Sequence, residues 1–186
     1  MPKLFMLLIG CSPPGRNVEQ HDIFFGIGET IKDLIPDLIK FWPETQGKLH
    51  IDAWREVTYV NGHIITVISN DTPEVVNSAR LFFINLGGYK QNEFEEFHYK
   101  MIIAAADKEE AVRQSKKTAF FIHTGYKSAP SHIDDKYGID VDDIFQVEDI
   151  LGAETKKQYW MLITPVETLH AEDEIHLGYF KLSSFR

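Results

Sequence analysis

Three observations predict an α+β fold built from two related halves. They are an internal repeat, a strand-helix-strand pattern in each copy of it, and a tight hairpin signal closing the first. The segment KLFMLLIGC, starting at Lys3, returns as RLFFINLGG, starting at Arg80, 77 positions later. At the same displacement EQH (residues 19–21) falls on EFH (residues 96–98), Thr30 falls on Asp107, and Asp33 falls on Glu110. The last two pairs are capping residues followed three later by an acid, the signature that opens a helix. HID at residues 50–52 recurs at 132–134, displaced by 82, which places a five-residue insertion in FFIHTGYKSAPS. The expected organisation is therefore a first repeat at 1–70, a connector at 71–79, and a second, diverged repeat at 80–186, all in one compact unit.

Each copy informs the other. In the second, FHYKMIIAAA followed by DKEEAVRQSKK reads as a strand and then a capped helix. Carried back, residues 21–27 become a strand and 30–42 a helix that buries Ile31, Leu34, Ile35, Leu38 and Trp42 at helical spacing. Pro36 would bend that helix or tighten its first turn. Asn61-Gly62 between LHIDAWREVTYV and HIITVI is a two-residue hairpin signal. Each copy thus reads strand, strand, helix, strand, strand, and QYWMLITPV and IHLGYFKL are expected as closing strands of the second. Mostly antiparallel sheets with helices on one face, related by a pseudo-twofold axis, are the expected architecture.

Composition excludes several classes. The 186 residues are 44% hydrophobic and 12% aromatic, which marks a globular chain. With 28 acidic against 19 basic side chains the formal charge is -9, so no nucleic-acid partner is expected. No apolar run approaches the ~20 residues that span a bilayer, so no membrane partner is expected either. The single cysteine excludes an internal disulfide and suits a reducing compartment. LIGC, ending at Cys11, has the look of a lipoprotein cleavage site. Only six apolar residues precede Gly10, however, and the segment has an echo in mid-chain, so it reads as a core strand and Cys11 as a buried, inert thiol. A cytoplasmic location is the expectation.

The candidate chemistry lies at the strand starts. A strand-helix-strand crossover makes its two strands parallel, so the Glu-x-His and His-x-Asp pairs begin at one edge of the sheet. Alternation sets Glu19 with His21 on one face, and His50 with Asp52 on one face. If the faces agree, the four converge, with Glu96, His98, His132 and Asp134 repeating the cluster. Two imidazoles and two carboxylates suit a divalent metal as cofactor, or a proton-transfer pair. Pro13-Pro14-Gly15 is a stiff turn presenting Arg16, which with Trp54 and Trp42 nearby would suit a small anionic or planar ligand, with Asp22 a further candidate. The alternative is a non-enzymatic interaction or scaffold module, a homodimer included, whose polar clusters are structural. The acids of IDDKYGIDVDDIFQVED lack calcium-loop order and read as a solvated loop.

LIGCSPPGRNVEQHDIFFGIGE, HIDAW and VNGH resemble the bacterial domain-of-unknown-function family DUF1543, which occurs as one or two copies per chain. The resemblance implies small bacterial proteins without an established reaction. Its motif falls on Pro14, Gly15, Arg16, Glu19, His21, Asp22, His50 and Asp52. The second copy departs from it at the positions of Arg16, Asp22 and Trp54.

Overall fold

A computed structural model describes residues 1–71, 76–89, 92–117, 139–168 and 170–185. In chain order the elements are β1 (Lys3–Cys11), β2 (Gln20–Gly28), α1 (Ile31–Phe41), a 3-10 turn (Pro43–Thr45), β3 (His50–Glu56), β4 (Tyr59–Val60), β5 (His63–Ser69), β6 (Arg80–Tyr89), β7 (Glu96–Ala105) and α2 (Lys108–Ser115). After these come β8 (Ile139–Gln146), α3 (Val147–Ile150), α4 (Ala153–Gln158), β9 (Tyr159–Pro165), β10 (His176–Lys181) and a 3-10 turn (Leu182–Phe185). They form an α+β chain of two compact units, Met1–Val76 with Leu151–Arg186, and Asn77–Ile150.

In the first unit a four-stranded sheet has the order β10-β3-β1-β2, and a second sheet has the order β4-β5-β9. β1 runs antiparallel to both β2 and β3, so the two strands joined through α1 are parallel with β1 between them. α1 begins as its capping signal requires: the Thr30 amide and hydroxyl donate to Asp33 Oδ2 at 2.8 and 3.1 Å. It runs on through Pro36, and its buried stripe is Ile31, Leu34, Ile35 and Leu38. That stripe packs on Phe5, Leu7, Ile9 and Cys11, the odd-numbered face of β1. The Asn61-Gly62 turn has positive φ at both residues, 32° and 86°, the backbone a two-residue hairpin needs.

The second unit repeats this plan with the order β7-β6-β8. The Asp107 carboxylate caps α2 by accepting from the Glu110 amide at 2.8 Å. The irregularity in the central pairing also recurs. The register of β1 against β3 shifts between Leu8 and Ile9, and that of β6 against β8 between Asn85 and Leu86, again 77 positions on.

Several expectations change. β9 pairs with β5 and β10 with β3, so both closing strands complete the first unit rather than the second repeat. β3 and β5 would otherwise each leave an open edge, and the late strands cover them. The acidic run contains strand β8, because Val141 and Ile144 pack on a second apolar core with Ile84 and Leu86. The register equivalents of His50 and Asp52 are Asp140 and Asp142, since Asp140 opposes Gly87 as His50 opposes Gly10. His132 and Asp134, expected in those roles, lie outside the described residues.

Candidate functional site

β2 and β3 are separated by β1, so their side chains stand about 9–10 Å apart at the backbone. They meet over the central strand because the residue there is Gly10, paired with both His21 and His50. A Cβ at position 10 would sit 2.5 Å from His50 Nε2 and 2.6 Å from Asp52 Oδ2. Asp52, two residues on from His50, shares its face by alternation, and the register shift opposite Leu8 and Ile9 follows it. A bulge re-aims one side chain and restores the alternation beyond it, which sends Trp54 to the core face.

Glu19, His21, His50 and Asp52 therefore form a closed ring in which imidazoles and carboxylates alternate. His21 Nε2 is 3.2 Å from Asp52 Oδ2 and 3.8 Å from Glu19 Oε2. His50 Nε2 is 3.2 Å from Asp52 Oδ1 and 3.4 Å from Glu19 Oε1. Each carboxylate thus turns one oxygen to each imidazole. His50 is 4% exposed, yet its Nε2 has no hydrogen-bond partner among the described residues. Charge-assisted N–H···O bonds are about 2.7–2.9 Å and well aligned, and these contacts are neither. Ligand atoms around a tetrahedral ion with bonds of about 2.0–2.1 Å stand about 3.3–3.4 Å apart in every pair, and the neighbouring contacts of this ring run from 3.2 to 3.8 Å. Across the ring the cluster is wider, since among the described residues only the second-unit trio below has all its ligand atoms within 4.8 Å of one another.

The other expected site residues lie elsewhere. Trp54 stacks on His176 at a centroid distance of 3.8 Å. The Asp22 carboxylate takes up the backbone amide of Ile23 at 2.7 Å. The Pro13–Arg16 turn closes with the Arg16 amide on the Pro13 carbonyl at 3.3 Å, with Gly15 at φ 81°. Arg16 itself is exposed and makes no ion pair among the described residues. Beneath the ring, burial first and the Glu19 charge second push the Cys11 thiol above its ordinary pKa, partly offset by Lys48.

In the second unit Glu96, His98 and Asp142 come together, all exposed. His98 Nε2 is 3.7 Å from Glu96, while Nδ1 is 3.2 Å from Asp142 and 3.2 Å from the Asn85 amide nitrogen. The ring of His98 is thus engaged from both sides, unlike the inward-facing nitrogens of the first unit. Gly87 plays the part of Gly10, since a Cβ there would collide with the Asp142 carboxylate.

Four participants lie outside the site residues that the sequence singles out. Gly10 and Gly87 carried a signal, a glycine at one repeat position inside apolar strands. Asp142 was readable once β8 is a strand. Tyr179, whose ring lies 4.1 Å from that of His50, gave no signal, as it comes from 129 positions away.

Residues 16–67 match the family described as Domain of Unknown Function (DUF1543). Over this segment, which is less than half of the chain, the sequence is similar to the DUF1543 family. All seven first-copy candidates, from Arg16 to Trp54, fall inside the DUF1543 segment, and Gly10 and Tyr179 fall outside it. The crystal structure of protein Il1583 from Idiomarina loihiensis is similar over 98% of both chains, with a TM-score of 0.64 and 22% identity. That likeness shows a shared fold. No curated protein matches this chain.

Proposed function

We propose that the first unit is a divalent-metal-binding domain, with Glu19, His21, His50 and Asp52 as ligands of one ion. The observation that carries this reading is the buried His50 Nε2. It faces two carboxylate oxygens at 3.2 and 3.4 Å without hydrogen-bonding either. A polar network kept for structure alone would satisfy that nitrogen. Two imidazoles with two carboxylates favour zinc over magnesium or calcium, which prefer oxygen ligands throughout. Four protein donors fill a tetrahedral sphere, the count of a structural ion rather than of one that keeps a position for substrate. The ion would tie β2 to β3 across β1, and at a free concentration of 100 times Kd it would add about 2.7 kcal/mol to the folded state.

Elemental analysis of protein purified without a histidine tag tests this. Wild type should carry about one zinc equivalent, and His21→Ala with His50→Ala should carry almost none. His98→Ala, in the second unit, should leave the content unchanged. Equal and negligible metal in wild type and the double variant would overturn the reading.

A further inference from the structure

We infer that Tyr179 is a positioning residue for the His50 site and that it couples a bound ion to docking of the C-terminal strand, an inference that rests on the metal reading above. β10 pairs with β3 through His176 opposite Trp54 and Leu177 opposite Ala53, then shifts so that Phe180 opposes Ile51 and Lys181 opposes His50. Gly178 and Tyr179 are the residues left out of register, opposite Asp52. Gly178 has φ 154°, a backbone that side chains rarely adopt, so the bulge depends on glycine there. The bulge swings Tyr179 inward until its ring covers the His50 imidazole, with centroids 4.1 Å apart and planes tilted by 31°.

Burial does not explain this placement. Tyr179 is 66% exposed, so little of its own surface leaves water, whereas His50 beneath it is 4% exposed. The tyrosine covers one face of an imidazole whose Nε2 points at Glu19 and Asp52. It shields that face from water and restricts rotation of the ring, so the ligand nitrogen is held in place before an ion arrives. Pre-organisation of this kind raises affinity by removing an ordering cost. Coupling between two events is reciprocal. Whatever factor the Tyr179 ring adds to metal affinity, the metal adds to docking of β10. A tenfold effect corresponds to about 1.4 kcal/mol in each direction.

Zinc affinity measured by competition with a chromophoric chelator, together with hydrogen exchange of the β10 amides with and without zinc, tests the coupling. In wild type, zinc should slow exchange across residues 176–181. Tyr179→Ala should bind zinc about tenfold more weakly and lose most of that zinc-dependent protection, while Tyr179→Phe should keep both within about threefold. Leu177→Ala, on the same strand and 76% exposed, should bind zinc as wild type does. Tyr179→Ala binding as tightly as wild type with the same protection would overturn the inference and leave the metal reading intact. Leu177→Ala weakening zinc as much as Tyr179→Ala would also overturn it, by assigning the effect to the strand and not to the ring. If wild type binds no zinc, both the metal reading and the coupling fail, which the other two results do not imply.

Discussion

Gly10 lies directly under the His50 imidazole: a single carbon added at Gly10 would come within 2.5 Å of His50 Nε2. The ring of Glu19, His21, His50 and Asp52 exists because the strand between its two halves carries no side chain there. Gly10→Ala sets two effects against each other. Alanine is favoured over glycine inside a strand by about 0.5–1 kcal/mol. Overpacking against two buried polar atoms costs about 1–3 kcal/mol, and it should win. The expected result is a net loss of about 1–2 kcal/mol in urea unfolding together with loss of bound metal. A variant as stable as wild type with metal retained would contradict the geometry described for the site.

The thiol beneath the site gives a second prediction. Burial and the Glu19 charge raise the Cys11 pKa, so at pH 8 the side chain stays a thiol and is shielded. Alkylation by iodoacetamide should be on the order of 100-fold slower in the folded protein than in urea. Because the folded pKa is the higher one, the contribution of Cys11 to stability is fully present below the unfolded pKa. It is lost as pH rises through the folded value. Equal alkylation rates in the folded and unfolded states would show that Cys11 is not the packed residue described.

Asp33 works in the opposite sense. Hydrogen bonds from the Thr30 amide first, and from the Thr30 hydroxyl second, hold its carboxyl below the ordinary range. A depressed pKa stabilises the fold above the unfolded value, and that contribution is lost as pH falls through the folded one. Asp33→Asn should therefore lower Tm at pH 7, and the gap between the variant and wild type should close as the pH is lowered toward 3. A gap that stays constant with pH would mean that the charge of the cap is irrelevant.

Assignment of the C-terminus to the first unit is tested by Leu182→Ala. Leu182 is 6% exposed and packs in the same cluster as Phe5, Leu34 and Ile51. Removing its side chain should cost about 2–3 kcal/mol in urea unfolding, the lower part of the range for buried leucine because a terminal turn can relax. A loss below about 0.5 kcal/mol would show that the C-terminal turn is not part of that core.

Much of the chain was legible from local signals. Apolar runs that recur between the two halves located β1, β2, β6 and β7, the Thr30 and Asp107 caps located α1 and α2, and Asn61-Gly62 located its hairpin. Each of these signals acts over a few residues, so sequence alone carries it. Convergence of Glu19, His21, His50 and Asp52 was legible too, because a crossover makes the strands parallel and alternation then chooses the face. Tertiary structure decided the rest. The bulge opposite Leu8 and Ile9 turns Trp54 to the core face, which no spacing along the chain records. β9 and β10 joined the first unit because pairing goes to whichever edge stands open, and nearness in sequence does not determine that. Tyr179 covers His50 for the same reason: edge pairing brings together residues that lie 129 positions apart in the chain.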